Sequence, residues 1–157
     1  MEYEVIIKKS DIQQQVSLRT HYHFEGEKHI NPDANKGETS TDDQEIMEMY
    51  LQKSLGRLAA EHTERLKDIT FRSDERYVSL KFNGSDDSRS SLLPLLKQTL
   101  TDYLVNEILI EWLLVRQRAW SDPYIAMRSE LHRQVKDVLA QFCSRKIRRR
   151  PTNLAGI

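Results

Sequence analysis

The sequence predicts a mainly α fold: a helical bundle around one long central helix, with an added β-hairpin and extended terminal arms. Three observations carry that expectation. Ten of the thirteen residues from 103 to 115 are apolar, too many for a helix that hides only one stripe, so the central helix is buried on every side. Residues 121–142 place Tyr124, Met127, Leu131, Val135, Val138, Leu139 and Phe142 on one arc about 160° wide, the pattern of a surface helix. Residues 69–82 change period, with Val78, Leu80 and Phe82 alternating behind a polar turn, which reads as a hairpin. At 157 residues, 38% apolar and 31% charged, the chain has room for one core with appendages.

Taken in order, residues 2–8 form a short strand or an extended arm. Ser10 followed three residues later by Gln13 reads as a capping box for a short helix ending near Thr20, with Ile12 and Val16 inward. Residues 25–41, EGEKHINPDANKGETST, contain two glycines and a proline and read as a long loop. Thr41 with Gln44 repeats the capping box, and a helix is expected from 42 to about 67. Its main stripe is Leu51, Leu55, Leu58, His62 and Leu66. Ile46, Met49 and Tyr50 fall outside that stripe and need a second cover, which marks them as candidates for an oligomer or partner interface.

A two-stranded hairpin is marginal alone and must lean on helices or on another chain. After the loop NGSDDSRS, Ser91 is the expected cap of the central helix and Pro94 sits in its first turn. That helix should run to Arg118, about 40 Å. On it Tyr103, Leu104, Val105, Ile108, Leu109, Ile110 and Trp112 point in all directions, and only Glu107 and Glu111, about 40° apart on the wheel, form a polar strip. This strip meets water, a salt bridge or a basic partner, and with Trp112 it completes the candidate interface. SDPY at 121–124 reads as the start of the last helix, with Ser121 or Asp122 as cap.

The charge is uneven: 5 basic against 11 acidic residues in 1–50, and 19 against 13 thereafter, for a net charge of zero. Arg145, Lys146, Arg148, Arg149 and Arg150 form a basic C-terminal arm suited to phosphates, an acidic partner surface or water. The single cysteine, Cys143, can form no internal disulfide and reads as a small buried hydrophobe. The start MEYEVIIKKSD has an apolar run of only three residues, so no signal peptide is expected, and charges interrupt the best apolar stretch, so no membrane span is expected. Glu107 and Glu111 lack the Glu-x-x-His partners of a bundle metal site. His21, His23 and His29 have no cysteine nearby and match no zinc spacing, and His62 reads as a core histidine. Nucleophile elbow, phosphate loop and dinucleotide fingerprint are absent from the sequence, so neither catalysis nor a cofactor is expected.

The hairpin ITFRSDERYVSLKF, followed by LLPLLKQTLTDYLVNEILIEWLL and an amphipathic helix with a basic end, resembles the head-tail connector proteins of tailed bacteriophages. These are the adaptor or head-completion proteins of the neck, and the similarity is clearest over residues 42–142. The resemblance implies a structural virion protein, made in the bacterial host cytoplasm, that forms a homo-oligomeric ring in the neck between portal and tail and extends the DNA channel. Its partners would be copies of itself, the portal protein, tail or neck proteins and, non-specifically, packaged DNA. On this reading residues 1–41 are an N-terminal arm, short helix and loop. Residues 42–144 are the connector-like core with its hairpin at 69–82, and residues 145–157 are the C-terminal arm that clamps a neighbour. The more prominent hairpin and the added N-terminal residues depart from the simplest connectors and leave the station in the neck open. The other reading is a small cytoplasmic helical module that uses its basic tail on nucleic acid or an acidic partner.

Overall fold

The computed structural model describes residues 1–28, 43–62, 69–84 and 90–143, with 23–28, 62 and 143 described by their backbone. Strand β1 (Glu2–Lys8) runs without a loop into helix α1 (Lys9–Lys28); α2 (Gln44–His62), β2 (Thr70–Ser73), β3 (Tyr77–Asn83), α3 (Leu93–Arg116) and α4 (Arg118–Cys143) follow. The fold is mainly α, with one small antiparallel sheet.

The hairpin does not stand alone. β1 pairs antiparallel with β3 along its whole length, Glu2 opposite Asn83 and Lys8 opposite Tyr77, which gives the sheet order β1-β3-β2. Alternation explains the fit: Tyr3, Val5 and Ile7 lie on the same buried face as Val78, Leu80 and Phe82, while Glu2, Glu4 and Lys8 face outward. The hairpin turn is built by Asp74, whose Oδ1 accepts from the amides of Arg76 and Tyr77 at 2.7 Å each. These two bonds hold its carboxyl below the usual carboxylate range.

Under the sheet the far end of α4 docks through Phe142, which meets Tyr3 edge-on at 5.0 Å and Phe82 at 5.1 Å between ring centroids. Gly84 lets this cluster close, because a Cβ there would stand 2.5 Å from the Tyr3 ring. Helix α3 is the axis. Within it Leu96, Leu100, residues 103–110, Trp112 and Leu113 are buried, and the cover comes from this chain's own α1, α2, α4 and sheet.

Several boundaries differ from the sequence expectation. Helix α1 continues past Thr20 to Lys28, and it begins at Lys9 because the Lys9 amide bonds Arg76 O at 2.9 Å; Ser10 is therefore inside the first turn rather than capping it. The first 28 residues are not an appendage, since Tyr3, Val5, Ile7, Ile12 and Val16 belong to the common core. Leu92, not Ser91, is the N-cap of α3, reached through a 3-10 turn at Ser90–Leu92, and Pro94 falls in the first turn as expected. Helix α3 ends at Arg116, and α4 begins at Arg118 after the single residue Gln117. Ser121 is thus buried within α4, its hydroxyl donating to Arg118 O at 2.6 Å, and Pro123 lies inside the helix rather than at its start. Of the expected α4 arc, Met127 is 47% exposed and the rest is buried. Of the expected loop 25–41, residues 25–28 are instead the end of α1; the rest of it with His29, the expected helix end at 63–67 with Leu66, and the basic arm fall outside the described residues.

Candidate functional site

The carboxylate strip faces the inside of the bundle. Glu107 is 1% exposed and sits where three helices meet. From α4, Arg128 clasps it with a two-pronged grip, Nε donating to Oε1 at 2.8 Å and an Nη to Oε2 at 3.1 Å. From α2, Arg57 donates to Glu107 Oε2 at 3.1 Å and, with its other Nη, to Glu111 Oε1 at 3.2 Å. Lys53, one turn before Arg57, reaches Glu111 at 3.1 Å. The pairings Lys53 with Glu111 and Arg57 with Glu107 fix α2 antiparallel to α3, and Glu107 with Arg128 and Tyr103 with His132 do the same for α4.

Local sequence explains why these cations are in place. Arg57 lies beside Leu58 at the border of the buried α2 stripe, and Arg128 lies one turn after Tyr124 and three residues before Leu131 on α4. Each arginine is partly exposed and delivers its guanidinium to the helix junction. Sequence reasoning missed both. The available signal was a pair of carboxylates at i and i+4 on an otherwise apolar helix, matched by single arginines at the edges of two other apolar stripes.

A cleft of about 410 Å³ opens beside the clamp, lined by Arg57, Glu61, Tyr103, Glu107, Ile125, Arg128, Ser129 and His132. His132 Nδ1 is 2.8 Å from Glu61 Oε2, a second tie between α2 and α4. Tyr103 lies one helical turn before Glu107; burial first, then the carboxylates of Glu107 and Glu61, push its phenol above the ordinary tyrosine value. Deeper in the α3–α4 contact, the fully buried Asn106 donates to Tyr124 O at 3.0 Å, and its Oδ1 has no partner among the described residues. What the arrangement does chemically is hold charge in a fixed geometry and cross-brace three helices.

The other candidate residues are dispersed. Trp112 is 1% exposed in the chain's own core, with the Arg116 guanidinium 3.3 Å above its ring. Ile46 and Tyr50 are half-buried and pack against the edge of the core, while Met49, on the same face of α2, is 68% exposed. The neighbouring Met47, unremarked in the sequence, is the residue α2 buries there, at 3%. Among the described residues no group of three or more His, Cys, Asp or Glu is placed to hold a metal, and no helix is long and apolar enough to cross a membrane. No family model, curated protein or solved structure matches the chain.

Proposed function

We propose that this chain is a non-enzymatic, ring-forming structural subunit of the phage neck, docking on the portal and linking capsid to tail around the DNA channel. One observation carries the reading most directly. Ile46, Met49 and Tyr50, at i, i+3 and i+4 on α2, form an apolar rim that the described residues cover only at its inner edge, leaving Met49 out. A subunit packed side by side with copies of itself uses such a rim. The resemblance to connectors adds the setting, because the order hairpin, buried central helix, amphipathic last helix is the order of the fold. With Glu107 and Trp112 engaged internally, the working interface contracts to the α2 rim, and the virion neck is the location that follows.

Light scattering of the purified protein, alone and mixed with portal rings, tests this. A ring-sized species, or a smaller species that joins only the portal, is the expected result, and Met49→Glu should abolish the ring or the portal binding while leaving the circular dichroism spectrum intact. A protein indifferent to portal and unaffected by Met49→Glu would overturn the reading.

A further inference from the structure

The sheet has two open sides of very different character. Strand β2 is four residues long, ends in the Asp74 turn and has Ser73 tied to Gln52 of α2 at 2.7 Å. It is a blunted edge. Strand β1 is seven residues long and ends the sheet on the other side.

The direction of β1's free backbone groups follows from its register. Gly84 N–H donates to Met1 O and Lys9 N–H donates to Arg76 O, each at 2.9 Å, across pairs in register with Tyr3–Phe82, Val5–Leu80 and Ile7–Val78. In an antiparallel ladder alternate residues exchange both bonds with one neighbour, so the odd-numbered residues spend theirs on β3. Glu2, Glu4 and Ile6, with the N–H of Lys8, direct theirs to the open edge, and among the described residues no strand pairs there. Ile6 is also 47% exposed on the outer face.

We propose that this edge pairs with the same edge of a second copy of the chain, antiparallel about a two-fold axis at Val5, joining two three-stranded sheets into one. Charge complementarity selects the occupant, and together with the length of the overlap it selects the register. Centred on Val5, all seven residues of β1 pair: Glu2 lies opposite Lys8 of the second copy, twice by symmetry, Glu4 lies opposite Ile6, and the free groups of Glu4 and Ile6 exchange both bonds. Centred on Glu4, two carboxylates would face each other. Centred on Ile6, Glu4 would lie opposite Lys8, but only residues 4–8 could pair, because the position opposite Glu2 is Ser10, which is already helical. On the inner face Tyr3 comes opposite Ile7 and Val5 opposite Val5, so the two apolar layers meet end to end. A two-fold contact closes on itself, so this pairing is independent of the ring and of the α2 rim.

The test is sedimentation equilibrium of the full chain over a wide concentration range. Wild type should show a monomer–dimer step, alone or beneath a larger species that Met49→Glu removes. Ile6→Pro removes an edge N–H that β3 does not use, and should weaken the dimer by about tenfold or more. Ile6→Glu, which leaves the strand backbone unaltered and sets a carboxylate opposite Glu4 of the second copy, should weaken it as well, and Met49→Glu should leave it unchanged. The register is read separately in a Cys143→Ser background: Glu4→Cys and Ile6→Cys proteins, mixed and oxidised, should cross-link to each other in preference to themselves. The expected Cα separation of about 5.5 Å lies within disulfide reach. A wild-type protein that stays monomeric at its highest soluble concentration overturns the proposal. So does a dimer unaffected by both Ile6 variants but lost in Met49→Glu.

Discussion

The two sides of helix α3 are covered by opposite means. Toward the sheet and α1 the contact is apolar and aromatic, with Phe82 and Phe142 almost fully excluded from water. Toward α2 and the middle of α4 the helix presents Glu107 and Glu111, and the cover is a lattice of guanidinium and ammonium groups. The difference teaches how each side should fail. An apolar contact loses stability in proportion to the volume removed. A buried ion pair contributes little over an apolar substitute, yet losing one partner is costly because the other charge stays behind.

That contrast can be broken in order of effect. Phe82→Ala should cost most, about 4 kcal/mol by urea denaturation, since it opens a cavity against Tyr3 and Phe142. Arg128→Ala should follow at about 3 kcal/mol, because Glu107 keeps only the Arg57 bond at a site 1% exposed. Glu107→Leu should cost less than about 1 kcal/mol, since both arginines are partly exposed and can turn to water; a loss as large as that of Arg128→Ala would erase the distinction between the two sides. Lys53→Ala should cost less than about 0.5 kcal/mol, because its ammonium is 53% exposed.

pH sharpens the same comparison at both ends of the scale. The Tyr103 phenol has its folded value raised above 10.0, so its contribution is complete below that pH and is lost as pH rises through the folded value. In an alkaline titration followed by tyrosinate absorbance, the Tyr103 phenol should ionise only as the bundle opens. Asp74 runs the other way. Its folded value lies below 3.8, so its support of the hairpin turn is present above pH 3.8 and lost as pH falls through the folded value, an effect Asp74→Asn should remove.

How much of this was legible depended on whether the signal was local. The all-round burial of α3, the hairpin and the arc of α4 follow from periodicities within one segment. The partnership of β1 with β3 spans some 75 positions, Val5 to Leu80, and the alternation in EYEVIIK names a strand without naming its mate. The length of α1 was hidden because its second half has no apolar stripe to mark it. At SDPY, strong start residues were overridden by packing: the one-residue link at Gln117 lets α4 begin early and buries Ser121. The carboxylate strip was readable as polar residues in an apolar field, but its partners are single arginines on helices about 20 and 50 residues away, and no spacing rule reaches that far.

The most direct test of the central claim, that the strip is consumed inside the fold and assembly is left to other surfaces, is a double-mutant cycle of Glu107→Gln and Arg128→Met by chemical denaturation. The inward clamp predicts a coupling of about 2 kcal/mol. Additivity within about 0.3 kcal/mol would mean that Glu107 and Arg128 do not meet in the folded chain, and would return the strip to the list of surfaces open to a partner.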